Sequence, residues 1–298
     1  MKPSVFIAAS FAALSGMAFL GTGLAQATTI PATISSTLTI STDSQLTSNV
    51  RCTVTGAPCI LFGAPGITLK LNGFTMTGNG VSRASCTLAF GETGIDTNGK
   101  NNVSIEGPGV VTRFNDIGIV VSGNNSEVEG VAITSSCREG IRVLGSYNGV
   151  VGNSVSRASL SGSFFTGIFL SNPGGNNRVL HNEFVGAGPW PTTSSQGGHG
   201  IFVGEPGFPS KNNLIQGNNA SGNPGAGIFI RVGSTGNTIR HNQALGNVVF
   251  DDIFDDNALP ANTYDNNLCE VSRIGPSAVN ICKVPNIAGH RNGNPDGD

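Results

Sequence analysis

The chain contains 298 residues, has a formal net charge of −2, and only 11% of its residues are charged. So small a net charge offers no basic face to a polyanion, which argues against a nucleic-acid-binding protein. Its 43 glycines and few charges disfavour long helices and are typical of strands joined by tight turns. The composition therefore predicts an all-β protein.

The first element is a predicted signal peptide at residues 1–27. Lys2 supplies a positive charge, residues 5–24 are almost wholly apolar or small, and Ala25-Gln26-Ala27 forms a small-x-small cleavage site. The apolar core is short for a membrane span, and an uncleaved anchor is the alternative. We expect a secreted or periplasmic protein with no membrane segment after cleavage.

The second element, residues 28–90, is predicted to be an N-terminal cap with an irregular first turn. Stretches such as TISSTLTIST alternate apolar and polar residues but lack the repeat that follows. A repeat protein needs such a cap, because an open sheet edge can pair with another chain.

The third element, residues 91–270, is a repeat built on a Gly-Ile motif that becomes Asp-Ile in its last copy. Each motif lies in a short alternating run, which is typical of a β-strand. The isoleucines recur every 22–33 residues, as Ile95, Ile119, Ile141, Ile168, Ile201, Ile228 and Ile253.

Two further sets of apolar residues recur with the same period. One lies within an Asn-x-apolar-x-x-Asn hexapeptide and comprises Ile105, Val128, Val150, Val179, Ile215, Ile239 and Tyr264. The other comprises Val110, Ile133, Val155, Phe184, Ala220, Ala244 and Cys269. Three short strands per period predict a parallel β-helix of seven to eight turns, because stacked turns bury a continuous core.

The asparagines of the hexapeptides are predicted to form two ladders along this coil. Asparagine tolerates a left-handed corner, and its side-chain amide can pass hydrogen bonds from turn to turn. The first ladder would contain Asn148, Asn177, Asn213, Asn237 and Asn262. The second would contain Asn153, Asn182, Asn218, Asn242 and Asn267.

The fourth element, residues 271–298, is predicted to be a tail that leaves the coil. All six cysteines lie after residue 27, so an oxidising compartment favours disulfides, with free buried thiols as the alternative. Proximity in sequence favours Cys52–Cys59 and Cys269–Cys282, which leaves Cys86–Cys137.

The Gly-Ile-x-Val and Asn-x-Ile-x-x-Asn repeats resemble those of the secreted right-handed parallel β-helix superfamily, the pectate-lyase-like coil. The resemblance covers residues 66–268 and extends to repeats of the NosD and alginate-epimerase type. It implies a right-handed coil. The superfamily also includes polysaccharide lyases, polygalacturonases and viral tailspikes, so the fold does not select one function.

The residue two positions after the glycine should face outward, because side chains alternate along a strand. Phe169, Phe202 and Phe229 hold this position in consecutive turns, and Phe254 follows. Such an apolar stripe is either covered by loops or the tail, or used for binding. With Trp190, in the longest turn, these phenylalanines are the predicted substrate platform, in a cleft between loops 156–166 and 185–199.

Ionisable residues occur at or near the position that precedes the glycine of the Gly-Ile motif. His199 is the predicted general acid/base, Arg142 a carboxylate clamp, and Glu139 and Asp251 supporting acids. The alternative is that His199 is a structural residue, which burial would indicate.

The sequence GHGI at 198–201 is similar to the active-site motif of polygalacturonases, and this similarity implies a catalytic His199. The remainder of that motif is missing, because Phe165-Thr166 replaces an aspartate pair that inverting hydrolysis requires. A lyase or epimerase is therefore favoured over a glycoside hydrolase.

No metal site or other cofactor is predicted from the spacing of cysteine and histidine. His181 and His241 lie two turns apart, too far for one metal, and are interpreted as surface residues. The sequence DDIFDDN at 251–257 is either a calcium site or a solvated end of the coil.

The functional hypothesis is a secreted, monomeric β-helix protein that binds an acidic or acetylated polysaccharide and cleaves or epimerises it. The alternative is a non-catalytic structural or adhesive module that uses the phenylalanine stripe as a contact surface.

Overall fold

The computed structural model describes residues 26–80, 86–158, 166–171, 175–188, 197–205, 207–248, 251–275 and 281–283. Across these ranges the backbone forms strands and turns and no helix, and hence no helix that could cross a membrane. The strands pair in parallel and wind into a β-helix, so the predicted fold class is confirmed. Most of the signal-peptide region, Trp190 and most of the C-terminal tail lie outside the described residues.

One face of the coil is a parallel sheet, called the front sheet here. Within the described residues it has ten strands: Leu38–Ile40, Ile60–Phe62, Ile95–Asp96, Ile119–Val121, Ile141–Val143, Thr166–Leu170, His199–Val203, Ile228–Ile230, Ile253–Asp255 and Ser272–Ile274. This number exceeds the predicted seven to eight turns. The first two strands and the last one pair with the sheet without carrying a Gly-Ile motif.

The other faces form a larger sheet, called the back sheet here. Its described strands are Thr28–Thr29, Thr33–Ile34, Ser44–Gln45, Val50–Cys52, Thr68–Lys70, Thr75–Thr77, Ser104–Thr112, Glu127–Thr134, Gly149–Val151, Ser154–Ser156, Arg178–Leu180, Glu183–Val185, Leu214–Gln216, Thr238–Arg240 and Thr263–Asp265. A small third sheet contains Gln243–Ala244, Asn267–Cys269 and Cys282–Lys283. Residues 28–77, predicted as part of a cap, therefore contribute strands to the same sheets as the repeats.

The isoleucines of the Gly-Ile motif form one buried column. The seven residues from Ile95 to Ile253 are paired in direct register across the front sheet, and each is fully buried. Burial of an isoleucine side chain contributes roughly 1.5–3 kcal/mol. The column is therefore a main source of the coil's stability.

Close packing between turns favours the glycine that precedes six of these seven isoleucines. A Cβ placed on Gly167 would lie 2.7 Å from the carbonyl oxygen of Gly200, and one on Gly200 would lie 2.8 Å from that of Gly227. Real Cβ atoms do not approach a backbone oxygen so closely, so the motif reflects sterics at this corner.

The third apolar column differs from the prediction at one position. Val111, and not Val110, pairs with Ile133 and is fully buried. The register of strand Ser104–Thr112 shifts between Glu106 and Gly109, which inserts an extra residue and moves Val110 to the outer face.

The asparagine ladders run along the corners of the back sheet. In the second ladder the side-chain oxygen of Asn182 accepts the backbone N–H of Asn153 at 2.8 Å, and Asn218 repeats this contact to Asn182 at 2.9 Å. In the first ladder the backbone N–H of Asn177 donates to the side chain of Asn213 at 3.0 Å. A third ladder, absent from the sequence prediction, joins Asn223 to Asn247.

At nine of the ten ladder positions the left-handed conformation belongs to the residue before the asparagine, Asn262 being the exception. Tyr147 and Asn212 have φ values of 60° and 55°, and His181 and His241 have values of 55° and 54°. The ladder asparagines therefore act through their side-chain hydrogen bonds and not through a left-handed backbone, which corrects part of the predicted reason for their repetition.

Three disulfides occur in the described part of the chain, Cys52–Cys59, Cys86–Cys137 and Cys269–Cys282. They are the pairs favoured by sequence proximity. The first lies near the N-terminal end of the coil and the last near its C-terminal end, so they fasten turns with few further neighbours.

Candidate functional site

The outer face of the front sheet carries an aromatic stripe, defined here as Phe169, Phe202, Phe229 and Phe254. These residues occupy one register position in four consecutive strands. Their ring centroids are separated by 5.3, 5.2 and 4.9 Å along the stripe. Phe169 and Phe229 are buried, whereas Phe202 and Phe254 are partly exposed. Half of the stripe is therefore covered and half faces solvent, and its use for binding stays a prediction.

Guanidinium groups lie over three of these rings. The Cζ atoms of Arg142 and Arg231 are each 5.4 Å from the centroids of Phe169 and Phe229, respectively, and that of Arg273 is 5.9 Å from that of Phe254. Contacts at this distance are attractive because the ring face is negative. Arg142 and Arg273 also continue the stripe's register position at its two ends.

Each of these arginines is also paired with a carboxylate. Arg142 contacts Glu139 at 2.8 Å, Arg231 contacts Asp256 at 3.1 Å, and Arg273 contacts Asp251 at 2.9 Å. The stripe thus presents donors and acceptors side by side, and its three ion pairs contribute no net charge.

The Arg142 end belongs to a larger buried network. Arg138 contacts Asp116 at 3.0 Å and Glu139 at 3.7 Å, and Asp116 also accepts the backbone N–H of Gly91 at 2.7 Å. Glu139 is only 1% exposed. Its carboxylate is held between two guanidinium groups, so it orients Arg142 and does not meet solvent as a free acid.

His199 packs into the stripe. It is 1% exposed, its ring stacks on Phe202 at 5.5 Å, and it meets Phe229 edge-on at 4.8 Å. Its Nδ1 accepts the backbone N–H of Ala226 at 2.8 Å, so a neutral ring carries its proton on Nε2. Burial, followed by the positive charge of Arg231, lowers the pKa of His199 to about 3.

The acid/base role predicted for His199 requires access to solvent, and the structure does not provide it. Among the predicted catalytic residues Arg142 contacts Glu139 at 2.8 Å, but Glu139, His199 and Asp251 lie in separate turns. Thr166 separates Glu139 from His199, and Ala226 separates His199 from Asp251, so each pair is about 10 Å apart at the strand spacing. The front sheet therefore distributes these groups along its length instead of gathering them around one bond.

The four aspartates of residues 251–257 are engaged by the protein. Asp252 accepts the backbone N–H groups of Asn247 at 3.1 Å and Glu270 at 2.8 Å, and Asp255 accepts the Tyr264 hydroxyl. Asp251 and Asp256 pair with arginines as described above. These contacts link neighbouring turns, so the segment is neither a solvated end nor a free set of calcium ligands.

Beside Phe254 the stripe ends in an open cleft of about 460 Å³. Asp251, Glu270 and Arg273 line it together with the ring of Phe254. The buried Asp252 carboxylate shapes it by fastening the chain at residues 247 and 270.

The sequence prediction missed Arg231 and Arg273, whose guanidinium groups lie over rings of the stripe. Arg273 lies beyond the last Gly-Ile motif, so the repeat did not mark it, and Arg231 reaches its ring from the end of a strand. Among the predicted platform residues, Trp190 lies outside the described residues, as does most of both predicted cleft loops.

A family model described as NosD, periplasmic copper-binding protein, matches residues 35–287. Among curated proteins no relative matches the chain.

Solved structures with this fold include viral and bacterial proteins. Tailspike protein 2 of Escherichia coli O157:H7 bacteriophage CAB120 is 14% identical with a TM-score of 0.57, covering 81% of this chain and 34% of that one. The enzymatically active domain of bacteriophage CBA120 tailspike protein 2 is 14% identical with a TM-score of 0.56, covering 81% and 38%. The A-module of Azotobacter vinelandii mannuronan C-5 epimerase AlgE4 is 12% identical with a TM-score of 0.46, covering 85% and 81%.

At 14% identity and TM-scores of 0.57 and 0.56, the two tailspike matches show similarity of fold alone. The chain spans about a third of the length of the tailspike structures.

Proposed function

The chain belongs to the NosD family, and from this membership and the geometry of its front sheet we propose that it is an exported β-helix protein that binds a polysaccharide along the aromatic stripe. The family's description as periplasmic and the three disulfides both support export. The observation that carries the proposal is the run of guanidinium groups over phenylalanine rings, from Arg142 to Arg273.

The stripe suits a chain of sugar rings for two reasons. First, the partly exposed rings of Phe202 and Phe254 offer apolar surfaces on which the C–H faces of sugars can pack. Second, successive strands lie about 4.8 Å apart, so similar groups recur at regular intervals along the direction of an extended polymer. The three guanidinium groups, with the partly exposed carboxylates of Asp251 and Asp256, offer donors and acceptors for sugar hydroxyls. Binding along several strands would also combine weak contacts into useful affinity.

The acidic or acetylated character predicted for the polymer is the finer part of the proposal. Arg142, Arg231 and Arg273 would recognise uronate carboxylates, because a guanidinium binds a carboxylate in a planar, two-bond geometry. Each is already paired with an acid, so we expect the preference for an acidic polymer over its neutral counterpart to be moderate.

Turnover is not part of this proposal. The candidate acid/base His199 is buried and neutral at physiological pH, and Glu139 is held by two arginines. Copper chemistry is not part of it either, because the side chains of the stripe do not form a set of soft or imidazole ligands.

Binding is tested with the purified, signal-cleaved protein against a panel of polysaccharides in affinity electrophoresis, followed by calorimetry on any polymer that retards it. The panel pairs each polyuronate with a neutral polymer of the same backbone type and with its acetylated form. Retardation by at least one polymer supports the proposal. No binding across the panel would favour the alternative of a structural or adhesive module.

A further inference from the structure

We infer that the copper binding in the family's description is not carried by the coil of this chain, because among its described residues the sulfur ligands are used by the fold and the two exposed histidines lie too far apart to share an ion. Cu(I) prefers thiolate and thioether sulfur, and Cu(II) prefers imidazole and other nitrogen ligands.

The sulfur ligands are the first class. All six cysteines are joined in disulfides, and a disulfide lacks the thiolate that binds copper. Met76, the methionine within the described ranges, is fully buried in the hydrophobic core. No thioether or thiolate in this part of the chain therefore faces a space where an ion could enter.

The exposed histidines are the second class. His181 and His241 occupy one corner column, with Gly217 between them, so two strand spacings, about 10 Å, separate their backbones. The rings lean the same way along the coil. The His181 ring lies over Gly217 on the next strand, since a Cβ on that glycine would be 2.5 Å from Nδ1 of His181. The His241 ring likewise points to the strand after its own, where Oδ2 of Asp265 lies 4.0 Å from its Nε2. Because metal–nitrogen bonds are about 2 Å long, the two rings do not share an ion.

These histidines have a structural reason to occupy their corners. Gly152, His181, Gly217, His241 and Asn266 follow one another in this column, and each has a positive φ. Histidine is among the residues enriched in this left-handed conformation. The column therefore explains both histidines without a metal.

Three further potential ligands accept hydrogen bonds from the protein. Nδ1 of His199 accepts the Ala226 N–H, and the carboxylates of Asp252 and Asp255 accept protein donors. Across the described ranges no three histidine, cysteine, aspartate or glutamate side chains form a group that could hold a metal ion.

The test is a copper titration of the full, oxidised mature chain. Cu(II), and separately Cu(I) under anaerobic conditions, is added against a chromophoric chelator, and the metal retained after desalting is measured by mass spectrometry. The variants are His181→Ala, His241→Ala and His290→Ala, the last because His290 lies beyond the described residues. A chemically reduced sample, whose freed thiols should take up Cu(I), shows that the assay detects binding.

We expect no stoichiometric copper on the oxidised protein, or copper that only His290→Ala removes, since His290 is not among the described residues of the coil. One equivalent retained by the wild type and lost in His181→Ala or His241→Ala would overturn the inference. Melting temperatures of the two coil variants, measured without copper, separate loss of a ligand from loss of fold. Glycan binding is assayed on the same samples, so its outcome is independent of this one.

Discussion

The backbone N–H of Ala226 donates a hydrogen bond to Nδ1 of His199 across 2.8 Å, from one turn of the coil to the next. This bond uses the nitrogen that a general base would need and fixes the ring between Phe202 and Phe229. His199 is therefore a neutral packing residue whose protonation would break a bond between turns.

The first prediction concerns the pH dependence of stability. His199 has a folded pKa of about 3 and an unfolded pKa near 6.5, so its contribution is complete above pH 6.5. Between pH 6.5 and about 3 the unfolded chain binds a proton that the folded chain does not. The free energy of unfolding should then fall by about 1.4 kcal/mol per pH unit from this group.

The His199→Asn variant keeps an acceptor for the Ala226 N–H but does not titrate, so its stability should fall less steeply below pH 6.5. Urea denaturation at several pH values measures the slopes. His241→Asn is the matched control, because it makes the same substitution at an exposed position. Equal slopes for wild type and His199→Asn would mean that His199 is accessible to protons.

The second prediction concerns glycan binding. Arg273→Ala removes the guanidinium over Phe254 at the exposed end of the stripe, and we expect about tenfold weaker binding of any polymer that the protein retains, equivalent to about 1.4 kcal/mol. Calorimetry of the variant and the wild type measures the change.

Arg178→Ala is the control for this loss, because Arg178 is an exposed arginine on the back sheet. It changes the net charge equally but should leave affinity unaltered. If both variants weaken binding equally, general electrostatic attraction, and not the stripe, holds the polymer.

The third prediction concerns the Gly-Ile motif. In Gly200→Ala the new Cβ would lie 2.8 Å from the carbonyl oxygen of Gly227 and 3.1 Å from the Cβ of Ala220. Relief requires backbone movement in a close-packed corner, so we expect a loss of about 1–3 kcal/mol in denaturant titrations.

Gly149→Ala introduces the same methyl group into a back-sheet strand, where its nearest neighbour is the flexible end of Glu127. This variant should be close to wild type in stability. A Gly200→Ala protein as stable as Gly149→Ala would refute the steric explanation for the motif.

The fourth prediction concerns the asparagine ladders. Asn182→Ala removes the acceptor of the Asn153 N–H and the donor to the Val150 carbonyl, and leaves both groups buried without their partner. Each such group costs about 1–3 kcal/mol, so we expect the free energy of unfolding to fall by about 2–6 kcal/mol in thermal or urea denaturation.

Asn124→Ala provides the comparison. The Asn124 side chain accepts the N–H of Ser146 at the surface, where water can replace it, so the loss should be small. Similar losses at the two positions would indicate that the buried ladder is not a special source of stability.

Much of the fold could be predicted from the sequence because the repeat constrains the structure locally. Ile95 to Ile253 recur with a nearly constant period, and a parallel coil is the arrangement that stacks them into one column. Asn153 and Asn182 were assigned to a ladder for the same reason. The spacing changes at the register shift before Val110, and there the prediction of the buried residue is wrong. An inserted residue reverses the direction of the side chains that follow it, so Val111 and not Val110 faces the core.

The sequence by itself determined the parallel coil, its buried isoleucine column and the outward direction of Phe169, Phe202 and Phe229. These follow from period and alternation, which are local properties of the chain. Only the tertiary structure decided what surrounds each outward residue. The burial of His199, the clamping of Glu139 by two arginines and the placement of Arg273 over Phe254 all depend on contacts between turns, and such contacts set both solvent access and protonation.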